Sequence, residues 1–276
     1  MPVCLHFDPM TDRDASAPAP YDLLAADYDL PTGRGPVERS YIICSTPRSG
    51  STLLAEAMHR TEQLGVPAEY IDIGASLPYL YERWECAGLD EYVSRLHDHR
   101  TTDNGVFGVK THWHQLLQFT NVSQGAEPFA ATNFAVISAV LQRVAPQPAY
   151  IFVTRRDKER QAVSHWLAAT TEKWINLSDD PVGDIPPYDF EGIERFSEGI
   201  DASEEDWERF FALAGVEPLR IVYEDFVAAY DETVETAAEY VGIDPGGLTV
   251  SPPRMRRQSN EQSREYAHRY RKERTG

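Results

Sequence analysis

The sequence predicts an α/β fold, a P-loop-like and mostly parallel sheet with helices on both faces, and three observations carry that prediction. Four short apolar runs, 41–44, 105–113, 149–154 and 219–223, have the nearly unbroken hydrophobicity of strands buried on both sides. Stretches with helical spacing of apolar residues lie between them, and strands alternating with helices make a parallel sheet covered on both faces. The first run passes through a turn of small residues straight into a helical pattern, an arrangement suited to holding an anion.

In chain order, residues 1–38 are rich in proline and in small and acidic residues, as in Ala15-Ser16-Ala17-Pro18-Ala19-Pro20, and form an irregular N-terminal extension. Its segment Tyr21 to Leu30 is expected to dock on the body. Residues 39–276 then make one domain, which 276 residues suffice to fill with a sizeable core. Tyr41 to Cys44 is the first strand, and Leu53, Leu54, Ala57 and Met58 continue it as the apolar face of a helix ending near Thr61.

Between strand and helix sits Thr46-Pro47-Arg48-Ser49-Gly50-Ser51-Thr52. The small side chains of residues 49–52 let backbone N–H groups approach an anion, and the hydroxyls can donate to it. The free N–H groups and positive dipole end of the helix favour the same charge. The common nucleoside-triphosphate loop needs two glycines around four residues, then Lys and Ser or Thr. Here Gly50 stands alone and Arg48 precedes it. The plainer alternative is a helix that opens on Ser and Thr caps.

Val66 to Asp72 is a short extended piece entered through Pro67, and 76–99 hold one or two helices facing inward through Tyr79, Leu80, Trp84, Tyr92, Val93 and Leu96. In the run Gly105 to Trp113 polar residues appear only at the C-terminal end. Ligands of open α/β sheets bind outside the carboxyl ends of strands, so Lys110 and His112 should emerge beside the first loop. Residues 114–128 are mixed, and 130–144 are helical. Ala149 to Thr154 ends at Arg155-Arg156-Asp157 and enters a helix over 158–171 with Ala162, Val163, Trp166 and Leu167 inside. The Asp-, Pro- and Gly-containing stretch 174–190 is a loop over the site or a surface insertion. A helix over 203–214 bounded by Gly215, the last strand and a helix over 226–241 complete the pattern.

The 44 acidic and 26 basic residues leave a formal charge of -18, which argues against nonspecific binding to nucleic acid or anionic membranes. The basic residues gather in one place, eight of them between Arg254 and Gly276 against three acidic. Cys4, Cys44 and Cys86 are odd in number and widely spaced, without metal or redox pairing, which suits a reducing interior. No apolar run approaches the roughly 18 residues that a membrane helix requires, and the N-terminus is unlike a signal peptide. A soluble, cytoplasmic protein is expected.

Arg156 and Ser164 lie at a strand end and two turns into the next helix. Both could reach a second phosphate, the arginine through its fork and the serine through its hydroxyl. Otherwise Arg156 pairs with a surface acid and Ser164 is an ordinary helix residue. Together with the first loop, the phosphate reading gains. Glu69 alone would be a solvated carboxylate, but held near an anion loop it is a sound general base. His112, an imidazole at a strand end, is a second candidate for the base, or it orients the transferred group. His59, His97, His99, His114 and His165 carry only the reading of surface or core histidines.

These motifs together resemble the sulfotransferases that use 3′-phosphoadenylyl sulfate. Residues 46–54 look like their 5′-phosphosulfate loop, and Arg156 with Ser164 is similar to their 3′-phosphate pair. The bacterial trehalose 2-sulfotransferase type is the nearest in pattern, through Pro67-Ala68-Glu69-Tyr70, Gly105 to Lys110, Gln161-Ala162-Val163-Ser164 with Trp166, Arg257-Gln258, Ser263 to Tyr266 and Arg269-Tyr270-Arg271. The matches run from about residue 41 to 272. The resemblance implies the sulfotransferase fold and transfer of a sulfuryl group to a hydroxyl of a carbohydrate or other small acceptor. It implies Glu69 as base, whereas Lys110-Thr111-His112 is similar to the Lys-Thr-His of cytosolic members, whose histidine is the base. Arg48, residues 49–52 and Lys110 would hold the 5′-phosphate and the moving group, and Arg156, Ser164 and Arg257 the 3′-phosphate. No metal cluster is visible, and these cations can do a metal's electrostatic work. A homodimer is compatible with the pattern. Two rivals remain, a P-loop small-molecule kinase, which lacks its lysine here, and a non-catalytic nucleotide-binding protein of the same fold. An acidic surround favours an acceptor without a carboxylate.

Overall fold

The computed structural model describes residues 23–33, 35–128, 130, 133–174, 185–255 and 261–275. Its elements in order are β1 (Arg39–Ser45), α1 (Ser51–His59), α2 (Ser76–Arg83), α3 (Leu89–Arg100), β2 (Val106–His112), α4 (Trp113–Ser123), α5 (Phe134–Val144), β3 (Ala149–Thr154), α6 (Lys158–Thr171), α7 (Phe190–Ala214), β4 (Leu219–Val222), α8 (Tyr223–Ala228), α9 (Tyr230–Val241) and α10 (Glu261–Thr275).

The four strands form one parallel sheet in the order β2-β1-β3-β4. The chain leaves β1 toward β2 on one side and returns to β3 on the other, so the direction of winding reverses beside β1. Such a switch point opens a crevice at the carboxyl ends of the strands. The register puts Lys110 opposite Ile43 and His112 opposite Ser45, which carries both polar residues to the crevice beside the loop that follows β1.

Alternation along the strands divides the core. Tyr41, Ile43, Ile151, Val153 and Ile221 pack with Leu54, Ala57 and Met58 of α1 and with Val234, Ala237 and Val241 of α9. Ile42, Cys44, Val109, Tyr150 and Phe152 face the opposite layer, where Trp113, Leu116 and Phe119 of α4 meet Trp207, Phe210 and Phe211 of α7. Gly108 lets Tyr41 lie flat against β2, since a Cβ there would come 2.4 Å from the Tyr41 ring. The Tyr41 hydroxyl donates to Leu64 O at 2.6 Å.

Several elements depart from expectation. The helix expected over 203–214 is the C-terminal half of a 25-residue helix, because the Asp189 side chain caps it by accepting from Gly192 N at 3.0 Å. Ile193 and Ile200 then pack with Ala162, Trp166, Tyr266 and Tyr270 of α6 and α10, which outweighs the cost of the helical Gly192 and Gly199. The mixed stretch after β2 is helix α4, and the helix expected over 226–241 is broken at Ala229 into α8 and α9.

The described part of the basic tail is engaged with acids. Arg271 pairs with Asp157 and Glu159, at 3.0 and 3.1 Å, and Arg274 approaches Glu194 and Asp201, both at 3.7 Å. The tail's helix α10 therefore docks through acids at the start of α6 and along α7. Arg257 lies outside the described residues.

The segment from Leu23 to Leu30 lies against the body, with Leu23 in the core and Leu30 N donating to His99 O at 2.9 Å. Asp29 anchors it by accepting from Arg83 Nη1 at 2.7 Å and Trp84 Nε1 at 3.3 Å. Arg100, fully buried, lies 2.6 Å from Asp29 Oδ1 at an angle too oblique for a hydrogen bond, and its Nη1 donates to Tyr28 O.

Candidate functional site

The loop between β1 and α1 turns through two residues of positive φ, Arg48 at 63° and Gly50 at 94°. At Gly50 no side chain fits, since a Cβ would come 2.4 Å from the Tyr223 ring. The loop is braced from beneath. Gln161 Nε2 donates to Thr46 Oγ1 at 2.9 Å and to Pro47 O at 2.8 Å, and Trp207 Nε1 donates to Ser45 O at 3.0 Å. Lys158 ties Glu204 below Thr46 at 2.5 Å.

Above this brace the helix start of α1 presents Ser49, Ser51 and Thr52. Ser49 Oγ is buried and has no hydrogen-bond partner among the described residues. A buried hydroxyl without a partner is costly, and at a helix N-terminus it is set to meet an anion. Arg48 stands at the same place. Its Nε donates to Ser164 Oγ at 3.0 Å and one terminal nitrogen to Trp174 O at 2.6 Å. Burial, and then the nearby charge of Arg155, pull its pKa down to about 10, which leaves it protonated at neutral pH. The Arg155 guanidinium lies 5.0 Å from the Tyr223 ring centre and donates to Arg48 O at 3.3 Å. These groups suit an anionic group such as a phosphate, since the cradle is cationic, backbone-rich and holds an orphan donor.

The second wall comes from β2. Lys110, buried, donates to Thr52 Oγ1 at 3.0 Å and to Glu69 Oε1. A single parallel bridge from Ala68 to Val109 holds the Glu69 backbone alongside β2. The other Glu69 oxygen accepts from Gln115 Nε2 at 2.6 Å. His112 Nε2 lies 3.6 Å from Glu69 Oε1, and its Nδ1 is 2.9 Å from Ser45 Oγ. The single Ser45 hydroxyl proton can go to Thr111 O, at 3.3 Å, or to Nδ1, and in the second case Nε2 carries the proton that faces the carboxylate.

Burial raises the Glu69 pKa, but Lys110, His112 and the hydrogen bond from Gln115 outweigh it and hold the carboxyl well below the usual range. Glu69 keeps 27% of its side-chain surface open to the crevice, so partial contact with water assists. Burial lowers His112 to about 3 despite the pull of Glu69, and the ring is neutral at pH 7.

The sequence-predicted residues thus fall into two groups. Arg48, Ser49, Gly50, Ser51, Thr52, Glu69, Lys110, His112 and Ser164 converge on one crevice. Arg156 stands apart at the surface, where it donates to Asp225 Oδ2 at 2.6 Å while its backbone N donates to Glu224 at 2.9 Å. It lines an open cleft of about 800 Å³ between β3, β4 and α7 that does not reach Glu69 or Lys110.

Gln115 was not singled out by the sequence. It sits in the first turn of α4, accepts from His112 N at 3.0 Å, and donates to Asp72 Oδ2 at 3.1 Å as well as to Glu69. No spacing announces it, because its partners lie on another segment. Asp72, His114 and His165 also belong to the crevice, and Trp174 stands 48% exposed at its rim. Among the described residues no group of three or more His, Cys, Asp or Glu is placed to hold a metal, and no helix is long and apolar enough to cross a membrane.

The family model for Stf0 sulphotransferase matches residues 40–273. Trehalose 2-sulfotransferase of Mycobacterium tuberculosis is 29% identical over 261 residues, 85% of this chain and 95% of that protein. The protein of the same name from Mycolicibacterium smegmatis is 29% identical over 258 residues, again 85% and 95%. Among solved structures, the sulfotransferase domain of the Synechococcus PCC 7002 olefin synthase aligns over 87% of this chain and 90% of that one, with a TM-score of 0.42 and 15% identity.

Proposed function

The chain belongs to the Stf0 sulphotransferase family and is a sulfotransferase, and on that premise we propose that it moves the sulfuryl group of 3′-phosphoadenylyl sulfate to a hydroxyl of a sugar or glycoside. The observation that carries this reading is the Glu69–Lys110 pair, set between an anion cradle on one side and an open crevice on the other. The donor supplies an activated sulfur–oxygen bond and leaves as the adenosine 3′,5′-bisphosphate. The sugar acceptor is supported by the two relatives named for trehalose sulfation.

Glu69 takes the proton of the acceptor hydroxyl as the new oxygen–sulfur bond forms. The old bond breaks with its electron pair staying on the phosphate oxygen. A carboxylate has about four lone-pair sites, so one remains for the acceptor while Lys110 and Gln115 hold the group in place. In this reading His112, with Nδ1 2.9 Å from Ser45 Oγ and Nε2 3.6 Å from Glu69 Oε1, supports Glu69 rather than acting as the base. It keeps the carboxylate aligned and faces it with an N–H.

Arg48, Lys110 and the N–H groups at the start of α1 stabilise charge gathering on the leaving phosphate and the sulfuryl oxygens. Arg156, Ser164 and Arg257 are the proposed hold on the 3′-phosphate. Arg156 would exchange Asp225 for it, and Ser164 would share its hydroxyl with Arg48. The free, buried thiols of Cys44 and Cys86 support a reducing, cytoplasmic setting.

The test is incubation of the protein with sulfur-labelled donor and a panel of neutral sugars, polyols and phenols. A labelled sugar product detected by mass spectrometry is expected. Release of label only as inorganic sulfate, or transfer to phenols alone, would overturn the reading.

A further inference from the structure

Beyond the reacting groups, the crevice carries a set of side chains with no part in holding the donor. Asp72 lies next to Glu69 through one shared donor, Gln115 Nε2, which reaches Glu69 Oε2 at 2.6 Å and Asp72 Oδ2 at 3.1 Å. The other Asp72 oxygen accepts from Gly74 N at 3.0 Å, which fixes the carboxylate in its turn. Two carboxylate oxygens held by one amide nitrogen are spaced to accept from two neighbouring hydroxyls.

The surrounding wall is aromatic and only weakly basic. His114, exposed, stacks on His112 with ring centres 5.9 Å apart and planes 19° from parallel. Across the mouth, His165 lies 6.1 Å from the Trp174 ring and 4.4 Å from Phe196, with its Nδ1 buried and unpartnered among the described residues. Burial lowers the pKa of His165 to about 4, and His114 and Arg48 oppose its charge further. Trp174 is held at the rim by its own carbonyl, which accepts from Arg48. A flat, half-exposed indole with neutral imidazoles beside it suits the apolar face of a sugar ring, and the carboxylate pair suits the hydroxyls at its edge.

We infer that Asp72, Gln115, His114, His165 and Trp174 form an acceptor subsite for a neutral polyhydroxylated ring, in which Asp72 accepts from the hydroxyl adjacent to the one that Glu69 deprotonates. This rests on the sulfuryl-transfer reading above. It adds that the acceptor carries a vicinal diol and no acid group near it, because two adjacent carboxylates repel an anion and leave a lone hydroxyl with a vacant partner.

The experiment uses neutral disaccharides sulfated by the wild-type enzyme, their monodeoxy derivatives, and the Asp72→Ala and Trp174→Ala variants. Asp72→Ala should raise the acceptor KM at least tenfold while the donor KM and the melting temperature stay near wild type. One monodeoxy acceptor, lacking the hydroxyl next to the sulfated position, should show the same loss on wild-type enzyme and no further loss on Asp72→Ala. Trp174→Ala should raise acceptor KM for every sugar alike. An unchanged acceptor KM in Asp72→Ala, or losses that multiply for every deoxy position, would overturn the subsite and leave sulfuryl transfer standing. Absence of any sulfated sugar with wild-type enzyme would overturn both.

Discussion

Lys110 reaches across from the end of β2 to join the Thr52 hydroxyl, at 3.0 Å, to the carboxylate of Glu69. One side chain thus links the helix that cradles the donor to the group proposed to accept the acceptor's proton. The link makes the basicity of Glu69 depend on where Lys110 is engaged. On the proposed mechanism, a transferring group that drew Lys110 toward its developing charge would take from the carboxylate its strongest opposing charge and make it a better base.

The pH dependence follows. The Glu69 carboxyl is held down despite burial, so in wild type the proposed base stays ionised as pH falls through the ordinary glutamate value of about 4.3. Lys110→Met removes that charge and leaves burial, which raises the pKa. The acid limb of kcat/KM should move to higher pH, and kcat should drop by roughly 10²–10³-fold, as for loss of one transition-state donor. A pH–rate profile of both proteins checks this.

Gly50→Ala places a methyl into the Tyr223 ring at a φ of 94°. The loop must shift, at a cost of about 1–3 kcal/mol. Urea denaturation should show that loss, and calorimetric titration with adenosine 3′,5′-bisphosphate should show weaker binding.

Arg48→Lys keeps the charge but loses the fork that reaches Ser164 Oγ and Trp174 O together. Donor KM should rise about tenfold, corresponding to one charge-assisted hydrogen bond. Steady-state kinetics at saturating acceptor measures it.

Asp29→Ala strips Arg83 and the fully buried Arg100 of their shared carboxylate. Removing one partner of such a cluster costs about 3 kcal/mol. Burial raises the Asp29 pKa, but Arg83, Arg100 and Trp84 outweigh it and hold it low. The stability it lends is therefore present above the unfolded value of about 3.9 and is lost as pH falls through the lower folded value. Denaturation midpoints of wild type and variant should differ at pH 7 and converge in acid.

Much of this site could be read in advance. β1, β2 and β3 stood out because a strand buried on both faces leaves an unbroken apolar run, whereas β4 is an edge strand with Arg220 exposed, and Lys110 and His112 followed from polarity confined to a strand's end. Glu69 needed the family pattern, since a carboxylate after a proline says nothing alone. Gln115, Asp72, His114 and His165 were hidden because the contacts that bring them to the crevice run across segments. The start of α7 was missed because glycines at 192 and 199 mask a helix that the Asp189 cap and the packing of α10 sustain. The pairing of Arg271 in the basic tail was not legible because its partners Asp157 and Glu159 lie more than a hundred residues upstream.

The most direct test of the proposed chemistry is a single-turnover rate of sulfuryl transfer for wild type and Glu69→Gln, at saturating donor and neutral sugar acceptor. General-base assistance contributes roughly 10²–10⁴-fold, so the variant should lose at least a hundredfold in rate while binding adenosine 3′,5′-bisphosphate as tightly as wild type. A Glu69→Gln enzyme that transfers at the wild-type rate would contradict the account.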